Sequence, residues 1–526
     1  MPQPPSWPKE SGPRILTLVG NDLTIDVRAR KTASALARAG FSVIALGVDN
    51  VGNAPTSSEH DGGVLFRVVP PTDPRISPRI VRMSRNELRD AFRYRADMLR
   101  GRLRVTRHYL TSRTQNEKDR QNGLFRALGR AWSSTSTRLN VSDRNRERIA
   151  WRIEAEGRRV NRILRVTPKK ARAILLQRRY HFTYLAYKWL ARPPKRSLRK
   201  GKWRRDLPEM HRYELAIGPL VDMLAPDLIH VHDIFHLGVA VRAKSRAHAS
   251  DRSVKVVYDA HEFVQGLPID PRRRSAYTDL EREYIGGADA VITVSPGLIH
   301  LLEEEYGIDV DLVMNAPDMS TAQSTIPIRQ VAKIPEGGKL LVYVGGIAPH
   351  RGAERLIDAL IGLPEHTYLV FVSATSSDYI AGLSRRADGS GLGDRVRFVP
   401  YVPPEAVVAY IESADVSVIP LSREIPNYEV ALPNKLFQSI QARVPVAVSD
   451  NPDMKQYVET TGIGEVFEGS SVADMTQAIR KILDDPEPYQ VALARPELRS
   501  VATWEHQMTT LTKVYRNLNV QATTNS

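Results

Sequence analysis

Apolar and polar positions alternate along the chain in two kinds of run. Short continuous apolar stretches, of the kind buried on both faces of a parallel sheet, are separated by longer stretches with an apolar stripe every three or four residues. RILTLVG (14–20) predicts a buried strand, VRARKTASALARAG (27–40) a helix closed by Gly40, and FSVIALGV (41–48) the next strand. VLFRVVP (64–70) predicts a third strand, after which the rhythm stops. It resumes with the strand DLIHVHD (227–233), the helix HLGVAVRAKSRAHA (236–249), the strand KVVYDAHE (255–262), the strand ADAVITVS (288–295) and the helix PGLIHLLEEEYG (296–307).

A second series begins near Lys333. KLLVYVGGI (339–347), TYLVFVSA (367–374), DRVRFVPYV (394–402), ADVSVIPL (414–421) and VPVAVSD (444–450) predict strands. GAERLIDALIGL (352–363), PPEAVVAYIES (403–413) and PNKLFQSIQA (433–442) predict helices between them, and TWEHQMTTLTKVYRNL (503–518) a final amphipathic helix. Strand–helix–strand order in both halves predicts an α/β protein with two doubly wound, Rossmann-like sheets. The expected layout is a disordered tail over 1–12, an N-terminal domain over 13–325, a C-terminal domain over 326–502 and a closing helix over 503–518.

Charge changes the picture between the halves. Arg75 to Arg205 holds 39 Lys and Arg against 9 Asp and Glu, a net +30, while the remainder of the chain is net −14. This segment carries Trp132, Trp151, Trp189 and Trp203, four of the six tryptophans. The sequence predicts a basic, mainly helical insert over 75–212 in the N-terminal domain. Arginine interleaved with tryptophan suits an anionic membrane surface. A helical subdomain with inward tryptophans and solvated arginines is the competing reading. No recognised binding motif points to nucleic acid. The chain has no cysteine, which excludes disulfides, thiolate metal sites and cysteine nucleophiles. MPQPPSWPKE does not read as a secretory signal, and no run approaches the ~18 apolar residues of a spanning helix. The expected location is cytoplasmic, peripheral on the inner face of the membrane.

Candidate chemistry sits where strands end. Gly20 and Asn21 follow the first strand, at the edge where open α/β sheets bind ligands. His232 and Asp233 end one later strand, and His261 ends the next, where an imidazole can bond a substrate hydroxyl or phosphate. The histidines fall on separate strands without a metal-binding helix motif, so no metal site is expected. Gly345 and Gly346 end a strand, with Arg351 and Gly352 at the following helix. Glycine gives backbone access there and arginine favours a diphosphate. Asn434, Lys435 and Gln438 occupy the first turns of a helix, with Lys435 and Gln438 three apart on one face.

These segments, read in order, resemble the group 1 glycosyltransferases, family 4, of GT-B architecture. The resemblance rests on Asp26 and Arg28 before ALARAGFSVIAL, on HVHD, YDAHEF, ADAVITVSPGL, VGGIAPHRG, ALPNKLFQSIQARVPV and the closing WEHQMTTLTKVYRNL. It covers about 13–50 and 220–518 and leaves the basic insert unmatched. It implies two facing domains with the active site in the cleft. A nucleotide-diphosphate sugar would lie mainly on the C-terminal domain and a glycan or lipid-linked acceptor on the N-terminal one. Transfer would retain configuration, with no metal and no cofactor beyond the co-substrate. By this likeness Arg351 holds the diphosphate, Lys435 is the subgroup's PNKLF lysine, and His261 faces the donor sugar. Arg28, His232 and Asp233 fall on the acceptor side or in the cleft, and the last helix returns to the N-terminal domain.

Two departures stand out. Gly345-Gly346 replaces the usual Gly-Arg pair, and Val430 and Gln438 stand where two glutamates are common. They keep two other readings in view: a non-catalytic scaffold with this fold, and a sugar-nucleotide epimerase using the same donor pocket.

The charge pattern generates the first prediction. Each Lys or Arg near an anionic surface contributes about 1 kcal/mol, screened by salt, while tryptophan insertion resists salt. The chain should sediment with anionic but not neutral vesicles, and added salt should release only part of it. Equal pelleting with both vesicle types, or with neither, would refute the membrane reading.

Overall fold

The computed structural model describes residues 5–9, 12–21, 23, 26–48, 57–68, 203–373 and 377–521. Two sheets organise the chain. The first contains β1 (Arg14–Leu18), β2 (Ser42–Val48), β3 (Ser57–His60), β4 (Gly63–Val68), β5 (Leu228–His232), β6 (Lys255–Ala260), β7 (Ala290–Thr293) and β8 (Val310–Leu312). Its order is β3-β4-β2-β1-β5-β6-β7-β8, parallel apart from the β3–β4 pair. The second contains β9 (Lys339–Val344), β10 (Thr367–Val372), β11 (Val396–Val399), β12 (Val416–Ile419), β13 (Val446–Ser449) and β14 (Gly464–Phe467). Its order is β11-β10-β9-β12-β13-β14, parallel throughout.

The apolar runs form central strands because both of their faces are covered. In β1, Leu16 and Leu18 enter one core cluster while Ile15 enters the other. In β9, Leu341 and Tyr343 face one layer, and Leu340, Val342 and Val344 the other. The helices used below are α1 (Val27–Arg38), α2 (Pro208–Leu224), α3 (Leu237–His248), α4 (Pro271–Tyr284), α5 (Pro296–Tyr306), α6 (Ala353–Ala359), α7 (Asp378–Gly389), α8 (Asn434–Gln441), α9 (Pro452–Thr461), α10 (Val472–Asp484) and α11 (Trp504–Asn517). Strand order reverses direction between β1 and β5 and between β9 and β12. A doubly wound sheet opens a crevice at such points, outside the carboxyl ends of its strands.

Several sequence expectations need correction. Residues 5–9 are placed against the N-terminal domain: the Trp7 indole donates to the Leu224 carbonyl (2.8 Å) and its ring packs on the core. One large aromatic is enough to tie down a polar tail. Residues 69–202, which hold most of the basic segment, lie outside the described residues, and with them Trp132, Trp151 and Trp189. Trp203 is described, is 1% exposed, and donates to Glu283 Oε2 at 2.8 Å. Together with α2 it belongs to the N-terminal core, so Trp203, Leu207 and Met210 pack as part of that domain and not as part of an insert. The polar strand β3 and helix α4 carry too few apolar residues to announce themselves. Asp270 caps α4 by accepting from the Arg272 and Arg273 amides, both at 3.1 Å. Among the described residues no helix is long and apolar enough to cross a membrane.

The closing helix packs far from the domain it follows. Trp504, Met508, Leu511, Val514 and Tyr515 of α11 share a core cluster with Ile15, Ala29, Leu36 and Val43. The Trp504 indole donates to the Lys31 carbonyl (3.2 Å), and the Lys31 ammonium sits 4.2 Å from the ring centroid. Trp504→Ala should therefore destabilise the protein by about 3–5 kcal/mol, the cost of emptying a buried tryptophan site. Urea unfolding checks this, and a loss below about 1 kcal/mol would be incompatible with that packing.

Candidate active site

Parallel pairing of β5 and β6 sets His232 beside Asp259. His230 and His232 are two apart on β5 and so share a face. Asp259 and His261 are related in the same way at the end of β6. Sequence reading kept the histidines on separate strands; the pairing of the strands brings them together. Asp259, 1% exposed, becomes a hub. Arg28 grips it with two bonds of 2.9 Å, from Nε and Nη2. His230 Nε2 lies 3.4 Å away, His232 Nδ1 3.3 Å and His261 Nε2 3.2 Å. The far side of His230 meets the Tyr515 hydroxyl of α11 at 2.7 Å.

Burial alone would favour a protonated Asp259, but Arg28, His261 and the bonds from His230 and His232 outweigh it and hold the carboxyl well below its ordinary range. Burial lowers His230 to about 4, helped by the neighbouring His232, so His230 is neutral. Burial also opposes charge on His261, yet Asp233 and Asp259 prevail and raise it to about 10. Asp26 caps α1 by accepting from the Ala29 amide (2.9 Å) and also accepts from Asn21 Nδ2 (2.9 Å). Its burial is offset by His232 and His261, and it stays below the ordinary carboxylate value.

His230, His232 and Asp259 bring three ligand-type atoms within 4.8 Å of one another. The carboxylate is already paired with a guanidinium whose charge opposes a cation, and His230 is committed to Tyr515. We read the cluster as an ion-pair network and assign no metal to it.

The sequence placed Arg28 and His232 on the acceptor side or in the cleft. The structure buries both, at 3% and 0% exposure, beneath the site. His232 Nδ1 lies 3.3 Å from His261 Nε2, and Arg28 reaches His261 only through Asp259. Gly20 is packed tightly: a Cβ there would come 2.6 Å from the Phe235 ring. His261 and Asp233 reach the cleft edge, their side chains 15% and 30% exposed. Asp233 has φ 59° and ψ 175°, a region used almost only by glycine and costing a side-chain-bearing residue about 1–3 kcal/mol.

Across the cleft, Gly345, Gly346, Arg351 and Lys435 converge at the carboxyl end of β9. Gly345 has φ 114°, and a Cβ on it would lie 3.7 Å from Lys435 Nζ. A Cβ on Gly346 would lie 3.3 Å from Arg351 Nη1. Arg351 donates to the Gly346 carbonyl (3.2 Å) and to the Tyr428 hydroxyl (3.4 Å), and Lys435 stands over the Tyr343 ring at 4.3 Å. Burial and the adjacent Arg351 pull Lys435 down to about 7. Among the described residues neither cation forms an ion pair with a carboxylate. Gly352, by contrast, is structural: φ is 77° and a Cβ would strike the Pro420 carbonyl at 2.1 Å. Asn434 and Gln438 do not join the cation pair directly. They line a cavity of about 200 Å³ with Lys31, Asn315, Pro404 and Glu405, between the two domains.

Sequence reasoning missed Asp259, His230, Tyr343 and Tyr428. The period of two was the available signal for the first two, since Asp259 precedes His261, and His230 precedes His232, by two residues.

Two family models match the chain: "Glycosyltransferase Family 4" over residues 170–319 and "Glycosyl transferases group 1" over 324–494. A D-inositol 3-phosphate glycosyltransferase from Thermomonospora curvata is 25% identical over 317 residues, 55% of this chain and 71% of that protein. Other curated relatives match over about half of their length, 53–54%. Sucrose-phosphate synthase from Thermosynechococcus elongatus shares the fold with a TM-score of 0.60 at 16% identity, covering 96% of this chain and 99% of its own. A trehalose-6-phosphate protein from E. coli, bound with UDP-2-fluoro glucose, gives 0.53 at 11% identity, with 95% and 98% covered.

The Arg28–Asp259 pair yields a stability prediction. Arg28→Ala leaves Asp259 charged and buried without its main partner, which should cost about 3–5 kcal/mol. Denaturant titration measures it, and a change under about 1 kcal/mol would mean that the pair is dispensable.

Proposed function

The chain belongs to the group 1 glycosyltransferases of GT-B architecture, and on that premise we propose that it moves a sugar from a nucleotide-diphosphate sugar to a glycan or lipid-linked acceptor, with retention of configuration and without a divalent metal. The observation that carries the donor assignment is the pair Arg351 and Lys435. Two cations stand within reach of a bare Gly345-Gly346 backbone, and among the described residues neither forms an ion pair; only the Glu262 carboxyl acts on Arg351 from across the cleft. A diphosphate supplies the missing charge.

Fixed cations aimed at a leaving group stabilise the charge that develops on it as the glycosidic bond breaks. Arg351 and Lys435 would do here what a divalent ion does elsewhere. Lys435 has an added use: its depressed pKa rises when an anion binds, so the donor itself completes the charging of the site. Asn434 and Gln438 are suited to ribose hydroxyls. A glutamine accepts one such bond without the charge assistance that a carboxylate gives. His261 is read as the group near the reacting carbon, its imidazolium adding positive charge on the N-terminal side. The acceptor would enter at the carboxyl ends of β1 and β5. The net +30 of Arg75–Arg205 favours an anionic or membrane-borne acceptor, in the making of a polysaccharide or glycolipid.

Arg351→Ala should weaken donor binding by about 2–3 kcal/mol, the scale of a lost bond to a charged group. Calorimetry with UDP-glucose and GDP-mannose as probes tests this, and unchanged affinity for whichever donor binds would sink the assignment. Turnover of that donor only when an acceptor is present separates transfer from epimerisation.

A further inference from the structure

We propose that Asp233 is a positioning residue, held in a strained backbone so that its carboxylate fixes the orientation and charge of His261 at the cleft. The inference rests on the reading of His261 as part of the reaction site and adds the device that keeps it in place. Asp233 follows the last residue of β5, and its amide donates to the Asp259 carbonyl of β6 at 3.0 Å. That bond ties the Asp233 backbone to the neighbouring strand. At φ 59° and ψ 175° glycine would sit without strain. An aspartate kept there must do something that a missing side chain cannot.

What it does is visible in the contacts. Asp233 Oδ2 lies 3.3 Å from His261 Nδ1. The other ring nitrogen, Nε2, lies 3.2 Å from Asp259 Oδ2 and 3.3 Å from His232 Nδ1. A ring held by carboxylates at both nitrogens cannot flip, and it is most stable with both nitrogens protonated. Among the described residues four other charges bear on this ring. Asp26 faces it from α1, Glu262 adjoins it on its own loop, Arg28 acts through Asp259, and from the opposite domain Arg351 reaches Glu262. Asp259 is largely satisfied by Arg28. Among the described residues Asp233 forms no ion pair other than the one with this imidazole.

Asp233→Gly and Asp233→Asn separate this role from strand termination. Glycine accepts the backbone angles, so that variant folds, and asparagine keeps a hydrogen-bonding group without charge. Both should lower the His261 titration, followed by NMR on labelled histidine, by about one pH unit or more. Both should also reduce kcat about 10-fold with donor KM within about 2-fold, since a misplaced or neutral His261 affects the chemical step more than donor binding. Above about pH 8 the variants should lose activity as pH rises, because a His261 titration lowered by a unit or more from about 10 brings loss of the imidazolium into that range, earlier than in the parent. An unmoved His261 titration, or an unchanged kcat in folded Asp233→Gly, overturns the proposal. His261→Ala is the separate control: full activity in that variant would sink the role of His261 itself, and the titration would still decide the pairing.

Discussion

The buried carboxylate of Asp259 is the point on which the N-terminal half depends. It draws Arg28 from α1, the two histidines of β5, His261 from its own strand end and, through His230, Tyr515 of α11. Arg28 also donates to the Val313 carbonyl (2.9 Å), where the chain leaves the first domain. An ion pair at this depth adds little net stability over a well-packed apolar pair. Its effect is one of specificity: helix, strands, linker and terminal helix can satisfy one charge together only in one arrangement.

The two domains treat charge in opposite ways. On the N-terminal side Arg28, Asp259, His261 and Asp233 are paired with one another, which favours an imidazolium at His261. On the C-terminal side, among the described residues, Arg351 and Lys435 form no ion pair and stand beside an open backbone, at a cost that shows in the lowered pKa of Lys435. A balanced network keeps its shape with or without ligand. An unbalanced pair gains most when an anion arrives. On the proposed reading, one wall of the cleft supplies shape and the other affinity.

The sheets were legible because their strands are apolar without interruption, as in β2, where all seven residues are buried. The cation pair was legible for a related reason: glycines at a strand end and a basic residue at the next helix are local signals. The Asp259 network was not. Arg28 and Asp259 are separated by 231 positions, and no periodicity encodes which strand lies beside which. Arg28 therefore read as a cleft residue when its real place is below the floor. Helix α4 was missed because its sequence, PRRRSAYTDLEREY, hides five buried positions among charges. Trp203 read as a membrane anchor for the opposite reason: a tryptophan among arginines looks exposed until its partner, Glu283, is seen.

The backbone passes between the domains twice, once after β8 and once before α11. The Trp504 amide donates to the Pro317 carbonyl at 2.8 Å, so the two passages lie side by side and are bonded to each other. A single tether would leave one domain free to pivot about a point. A doubled one behaves as a short axle, along which swinging is easy and twisting strains two chains at once. In the arrangement described here, the Phe263 amide meets Asn427 Oδ1 (2.7 Å) and the Gly297 amide meets the Asp453 carboxylate (2.9 Å). A swing about this axle would part or remake such contacts without changing their partners. Any such swing would carry the wall that holds Arg351 past the wall that holds His261 along one arc, so that alignment of the two walls is set by how the chain is strung.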